Sequence, residues 1–310
     1  MTILKYLVSS LLAVSLFFSF CPIGATPVYQ GPDIQIIGQE FYRDLDSEFQ
    51  RYSYQIDALE NGVPPLILEN LPHDLGEIRS TKQRKAIFFK SLLPMILLAN
   101  DEILFERNKL LKIKEQLDEI GVLSESELHV LSALARRYKV KVDAQQPEIV
   151  VDELLARVDI IPADLALAQA ANESAWGTSR FSRVANNLFG EWTFVPGQGI
   201  VPENRPAGET YEVAKFSTVY DSVRSYLRNL NTHAAYNHLR TLRAESRRAG
   251  KNPEGLKLAE GLTRYSTRGE AYVRELQTMI RTNRLERFSA AKLRFSDKSN
   301  TTPARIVTLF

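Results

Sequence analysis

The sequence predicts a mainly helical (α+β) chain carrying one small β element. Three observations predict it. Apolar residues recur at helical spacing over residues 81–120, 127–140 and 147–162, and again from Tyr220 onward. Between these runs lies a single stretch rich in Pro and Gly with β-branched pieces on either side, "FVPGQGIVPENRPAGETYEVAKF" (194–216), which reads as an irregular loop or short β-hairpin. The composition, 44% hydrophobic and 25% charged over 310 residues, suits a soluble globular protein of one large domain or two ordinary ones.

Taken in order, residues 1–25 form a unit of their own. "MTILKYLVSSLLAVSLFFSFCPIGA" has one charge, Lys5, then an apolar run of about 15 residues, then Pro22 and the small residue Ala25. This is the pattern of a secretory signal, and the run is short for a membrane span; an uncleaved N-terminal anchor is the alternative. The expected location is the periplasm or cell envelope. The only cysteine, Cys21, is flanked by Phe18 and Phe20 rather than by the small residues of a lipoprotein signal. Loss of the signal would leave no cysteine, as suits an exported bacterial protein that uses neither disulfides nor a thiolate nucleophile.

Residues 26–80 lack sustained periodicity and read as an extended connector. Residues 81–145 read as a helical N-terminal segment in which Pro94 should kink the first helix or divide it in two. Residues 146–294 hold the distinctive motifs, and 295–310 read as a tail. Formal net charge is +2, so nothing global points to nucleic acid. From Arg240 to Arg294, however, 14 Lys or Arg stand against 6 Asp or Glu, a basic region open to an anionic polymer or simply to solvent. His73, His129, His233 and His238 are scattered, and no metal-binding spacing occurs. Ser174 and Ser179 lack the pattern of a serine hydrolase. No metal or cofactor is expected.

The stretch that asks for chemistry is "ALAQAANESAWGTSRFSRVANNLFGEW", residues 166–192. Pro162 and Asp164 fit the first turn of a helix, and Gly177 would end it. Glu173 then lies in the last turn, on the same face as Gln169. Both the negative end of the helix dipole and apolar neighbours such as Ala170, Trp176 and Phe189 push a carboxyl's pKa upward. A carboxylic acid protonated near neutral pH is what a glycosidase needs to protonate a leaving sugar oxygen. The same placement also fits an ordinary surface glutamate, and Trp176 fits a core residue as well as a sugar platform.

Within that stretch, "QAANESAWGTSRFSRVANNLFG" resembles the glucosaminidase motif of glycoside hydrolase family 73: Gln-Ala before the glutamate, Glu-Ser, Trp-Gly-x-Ser, then Asn-x-Phe-Gly. "AKFSTVYDSVRSYL" and "YSTRGEAYV" resemble two later family segments, with Phe216, Tyr220, Tyr265 and Tyr272. The mature chain as a whole is similar to the Bax-type proteins of that group, including "LPHDLGEI" and "FFKSLLP" in its N-terminal part. The resemblance implies a lysozyme-like helical fold with a small β-hairpin lobe. It implies hydrolysis of β-1,4 bonds on the reducing side of N-acetylglucosamine in peptidoglycan glycan strands.

By the same resemblance Glu173 is the catalytic acid. Gln169, Ser174, Trp176, Asn187, Phe189, Gly190 and Tyr272 shape the substrate site, and Tyr265 offers its hydroxyl to an N-acetyl group. A second carboxylate is expected on the hairpin, Glu203 first, with Glu212 and Glu209 as alternatives; the substrate's own N-acetyl group can serve instead. A muramidase or lytic transglycosylase of the same fold, and a noncatalytic wall-binding protein, remain open at this point. A monomer is expected, restrained by a regulatory partner that no residue identifies.

Overall fold

The computed structural model describes Tyr29 and residues 31–294 except 144, 204 and 207; the signal expected over 1–25 and the tail expected over 295–310 lie outside the described residues. Its spine is helix α2 (Thr81–Ile120), 40 residues and about 60 Å long. Ser80 caps its first turn by accepting a bond from Gln83 N (3.3 Å), and Gly121, in the left-handed region at φ 73°, closes its last.

Pro94 does not divide this helix. Nearly every residue from Ile87 to Asn100 is buried, so packing on all sides outweighs the backbone bond that proline removes.

Three shorter elements precede α2 where an extended connector was expected. Strand β1 (Gln35–Ile37) pairs in parallel with β2 (Leu66–Leu68), and helix α1 (Tyr42–Arg51) buries Leu45 and Phe49. All three residues of β2 are buried, although a run this short shows no periodicity to read. Just before β2, Val63 N donates to Lys292 O (2.8 Å) and Arg294 N donates to Val63 O (2.7 Å), so the connector zips against the last described residues.

After α2 come α3 (Glu125–Arg137), whose capping box joins Ser124 and Glu127, and α4 (Pro147–Arg157). Helix α5 (Ala163–Glu173) is buried along its whole length as far as Ala171, and packs against α2. A short α6 (Arg180–Ala185) leads to a three-stranded antiparallel sheet of β3 (Trp192–Thr193), β4 (Gly199–Ile200) and β5 (Glu212–Ala214), with β5 in the middle. The C-terminal helices are α7 (Val219–Thr232), α8 (Asn237–Arg248), α9 (Gly255–Leu258) and α10 (Glu270–Thr282). One continuous apolar core runs from Ile37 to Leu293, so the N-terminal helical segment and the motif-bearing part share it. The architecture is mainly helical, as the sequence predicts, with two small sheets where one β element was expected.

The entry to α5 is fixed by buried charge. Arg243 of α8, almost wholly buried, donates to the carbonyls of Ala156, Arg157, Asp159 and Ile160 and to Asn231 Oδ1. Arg247 forks onto Asp159 at 2.8 and 2.9 Å. On the other side Asn100 of α2 exchanges two bonds with the backbone of Ile161. Held this way at its start, α5 presents its last residue, Glu173, at a defined place.

Candidate active site

Helix α5 ends on Glu173 itself, four residues earlier than Gly177 would have ended it. Ser174 makes the stop: its Oγ donates to Ala170 O (2.6 Å) and accepts from Gly177 N (2.8 Å). The chain then takes three successive residues at positive φ, Ala175, Trp176 and Gly177, a rare sequence for side-chain-bearing residues and one that concentrates at functional sites.

The half-buried Glu173 carboxyl is the end of a directed chain of hydrogen bonds. Tyr226 of α7 donates through its hydroxyl to Gln169 Oε1 (2.6 Å). Gln169 Nε2 donates to the Tyr272 hydroxyl oxygen (3.0 Å), and Tyr272 of α10 donates to Glu173 Oε1 (2.8 Å). A phenol has one proton, so with its oxygen accepting from Gln169, Tyr272 donates to the carboxyl and nowhere else. Gln169 is one turn before Glu173 on the same face, which brings both to Tyr272.

Aromatic packing fixes the rest. Phe189 lies flat on Tyr226 (3.9 Å between centroids, 7° between planes), and the Tyr265 ring is parallel to that of Tyr272 at 5.6 Å. Burial raises the pKa of Glu173; the bonds from Tyr272 and Asn172 and the charge of Arg268 pull the other way without cancelling it. The other carboxyl oxygen, Oε2, faces Gly190. A Cβ on that glycine, which sits at φ 66°, would lie 3.5 Å from it.

A glucosaminidase family model, described as mannosyl-glycoprotein endo-beta-N-acetylglucosaminidase, matches residues 150–285, a range that holds this whole constellation. Protein bax of Escherichia coli (strain K12) is 38% identical over 210 residues, 68% of this chain and 73% of that protein. The chain belongs to the glucosaminidase family. It is a glycoside hydrolase of the endo-β-N-acetylglucosaminidase type. The catalytic domain of the autolysin Auto from Listeria monocytogenes is also similar, at 18% identity over 59% of this chain and 87% of that one, with a TM-score of 0.32.

Of the residues singled out in the sequence, Gln169, Glu173 and Tyr272 are joined directly, Gly190 lies beside Glu173, and Phe189 stacks on Tyr226. Asn187 serves the site through the backbone: its side chain bonds Glu191 N, Glu191 O and Ala214 O, tying the turn after α6 to β5. Ser174 is a helix stop. Trp176 packs on Phe88 and Phe89 of α2 with Lys85 Nζ 4.5 Å from its ring, the posture of a half-buried core residue. Tyr265 donates its hydroxyl proton to Phe189 O (2.8 Å), while Tyr272 is the tyrosine that bonds Glu173.

The three hairpin carboxylates are not brought to Glu173 by any bond among the described residues. Glu203 is exposed and paired with Arg180 (2.8 Å), and Glu209 is exposed. Glu212 is buried and accepts from Gly197 N (3.0 and 3.1 Å) and Gly199 N (2.9 Å), so its carboxylate clamps the hairpin backbone. Counting back from Phe216 cannot reveal this, because β-strand alternation decides which way each side chain points.

Two residues of the site escaped the sequence reading. Tyr226 starts the hydrogen-bond chain; its position among the buried residues of α7 is the signal that it faces the core. Glu191 directly follows the Phe-Gly pair, and burial pushes its carboxyl up to about 7.

Proposed function

We propose that this chain is an exported peptidoglycan hydrolase that cuts the β-1,4 bond on the reducing side of N-acetylglucosamine, with Glu173 as general acid. The observation that carries the reading is the one-way hydrogen-bond chain from Tyr226 through Gln169 and Tyr272 to Glu173 Oε1. Because Oε1 is committed as an acceptor, the dissociable proton resides on Oε2, on the side where Gly190 supplies no side chain to cover it. Burial raises the pKa of the carboxyl and so favours the protonated form. As the glycosidic C–O bond breaks, the proton passes from Oε2 to the leaving oxygen, and the new carboxylate keeps the bond from Tyr272.

The anomeric carbon must also receive a nucleophile. With Glu212 occupied by backbone amides and Glu203 and Glu209 exposed, the substrate's own acetamido oxygen is favoured. It would close a ring on the anomeric carbon, and water would open that ring after giving its proton to the Glu173 carboxylate.

The test is digestion of purified peptidoglycan by the mature protein and by Glu173→Gln, followed by borohydride reduction and mass spectrometry. Reduced N-acetylglucosamine ends from the wild type, absent with the variant, are expected. Muramic or anhydro ends would move the chain to a muramidase or transglycosylase activity, and uncut walls would overturn the reading. Export from a leader in residues 1–25 is checked by sequencing the N-terminus of protein recovered from the cell envelope.

A further inference from the structure

The basic excess between Arg240 and Arg294 has no use in the chemistry assigned to Glu173, yet part of it is gathered beside the acid. An open groove of about 530 Å³ is walled by Lys85 of α2, by Trp176 and by one face of α10. Trp176 follows Glu173 by three residues. Arg268 marks where the groove meets the site. Its guanidinium lies 5.6 Å from the ring centre of Tyr272, which bonds Glu173 Oε1, and its charge acts on Glu173. From Ala271 to Thr282 the groove then follows α10 for about 16 Å.

The charges of the groove are unevenly partnered. Arg268 pairs with Glu275 (2.7 Å), the one carboxylate among the described lining residues. Lys85 Nζ donates to Asn283 Oδ1 (2.8 Å) and lies over the Trp176 ring at 4.5 Å, partners that hold the ammonium in place without neutralising it. Arg274 is exposed, and its guanidinium has no ion-pair or hydrogen-bond partner among the described residues. Three cations against one carboxylate leave the groove net positive, and the guanidinium of Arg274 is the donor still free in it.

We infer that this groove binds the peptide stems carried on the glycan, with Arg274 as the substrate-binding residue that meets a stem carboxylate. The inference rests on the peptidoglycan reading of the site and names a second part of that substrate. The N-acetylated sugars are uncharged, and in an intact strand the lactyl acid is bonded to the stem as an amide, so the carboxylates lie on the stems. A guanidinium presents two parallel N–H groups that match a carboxylate. Lys85 stands on α2, outside the residues 150–285 that match the family model, so this wall of the groove is added by the N-terminal part of the chain. An ion pair in an open groove is solvent-exposed, so the contact is worth about fivefold in affinity at low salt and less as salt screens it. It lies away from the bond that breaks and is the same before and during cleavage, so it acts on KM and not on kcat.

The test measures binding by Glu173→Gln, which prevents turnover, alone and combined with Arg274→Gln. The probes are soluble peptidoglycan fragments bearing peptide stems, and the same fragments after carbodiimide amidation with ammonia, which turns each stem carboxylate into a neutral amide of nearly equal size. Affinities are read by calorimetry at low and at physiological salt, with thermal melting to verify the fold of both variants. The single variant should bind the charged fragments about fivefold more tightly than the amidated ones at low salt, and less so at physiological salt. The double variant should bind both alike. In the otherwise wild-type enzyme, Arg274→Gln should raise KM for stem-bearing strands about fivefold with kcat unchanged. Equal affinity of the single variant for both fragments, a difference that survives Arg274→Gln, or a fall in kcat with KM unchanged overturns the inference while leaving the proposed function intact. Walls left uncut by the wild type, with the binding difference as expected, keep the stem contact and overturn the hydrolase reading instead.

Discussion

At the scale of single residues, the protonation of Glu173 is set by opposing effects on one carboxyl. Burial raises the Glu173 pKa, and the Tyr272 hydroxyl, by bonding the ionised form, limits the rise. Removing that hydroxyl leaves burial less opposed, so Glu173 becomes a weaker acid. Activity that needs the protonated form falls off as pH rises through the acid's pKa; in Tyr272→Phe that alkaline limb should move to higher pH. The maximal rate should drop by about 10- to 100-fold, because the carboxylate formed on proton transfer loses its partner and its anchor. Gln169 Nε2 is also orphaned, at a cost of about 1–3 kcal/mol that lowers the melting temperature. A pH–rate profile with an unmoved alkaline limb would show that Tyr272 is merely packed there. The sequence made Glu173 conspicuous through its motif, whereas the bonds from Tyr272 to Glu173 and from Tyr265 to Phe189 O were not legible. Both tyrosines belong to one segment, and only the helix phase of α10, which starts at Glu270 between them, decides which hydroxyl reaches the carboxyl.

At the scale of elements, the hairpin lobe shows why a carboxylate's sequence position is a poor guide to its work. Strand β5 is central in its sheet, and Glu212 at its start turns inward onto the amides of Gly197 and Gly199, setting the curl of the loop between β3 and β4. A catalytic base there would not survive conversion to the amide. A structural clamp would, since the carboxamide oxygen of a glutamine side chain still accepts from backbone N–H groups. Glu212→Gln should therefore keep activity within about threefold of wild type, while Glu212→Ala exposes the loop to proteolysis and costs about 1–3 kcal/mol for the amides left without partners. Loss of all activity in Glu212→Gln would restore it as the second catalytic carboxylate. Helices were the legible part of this fold, because α2, α4, α5 and α7 repeat apolar residues over many turns. That α2 runs undivided through Pro94 was not legible, because local propensity is silent about how completely neighbours will enclose a helix. The pairing of β1 with β2 escaped because strands of three residues have no period to detect and their partners are distant in sequence.

At the scale of the whole molecule, the site depends on a buried ionic centre one helix length away. Asp159, with a side chain only 2% exposed, is forked by Arg247 and faces Arg107 at 3.6 Å, while Arg243 spends its donors on the carbonyls around it. These groups tie α8 and α2 to the turn from which α5 departs, and α5 carries Glu173 at its far end, about 16 Å along. Burial alone would raise the Asp159 pKa, but Arg247, Arg243 and Arg107 together bring it below the ordinary aspartate value. Arg243, lowered to about 10 by burial, stays charged at neutral pH, so removing Asp159 strands a cation in the core. Asp159→Asn should cost about 3–5 kcal/mol at pH 7, read by urea unfolding. The sign of its pH dependence follows from linkage. A carboxyl whose folded pKa is depressed contributes stability that is present above its unfolded pKa, near 4, and disappears as pH falls through the folded value. The gap between wild type and Asp159→Asn should thus be constant from about pH 5 to pH 8 and close on acidification below about pH 4. If the gap stayed open in acid, the loss would come from packing around residue 159 and not from its charge. Activity at pH 7 in the fraction still folded should fall as well, because a loosened start to α5 shifts Glu173 relative to Tyr272, and an acid displaced by as little as about 1 Å can lose about a hundredfold in rate.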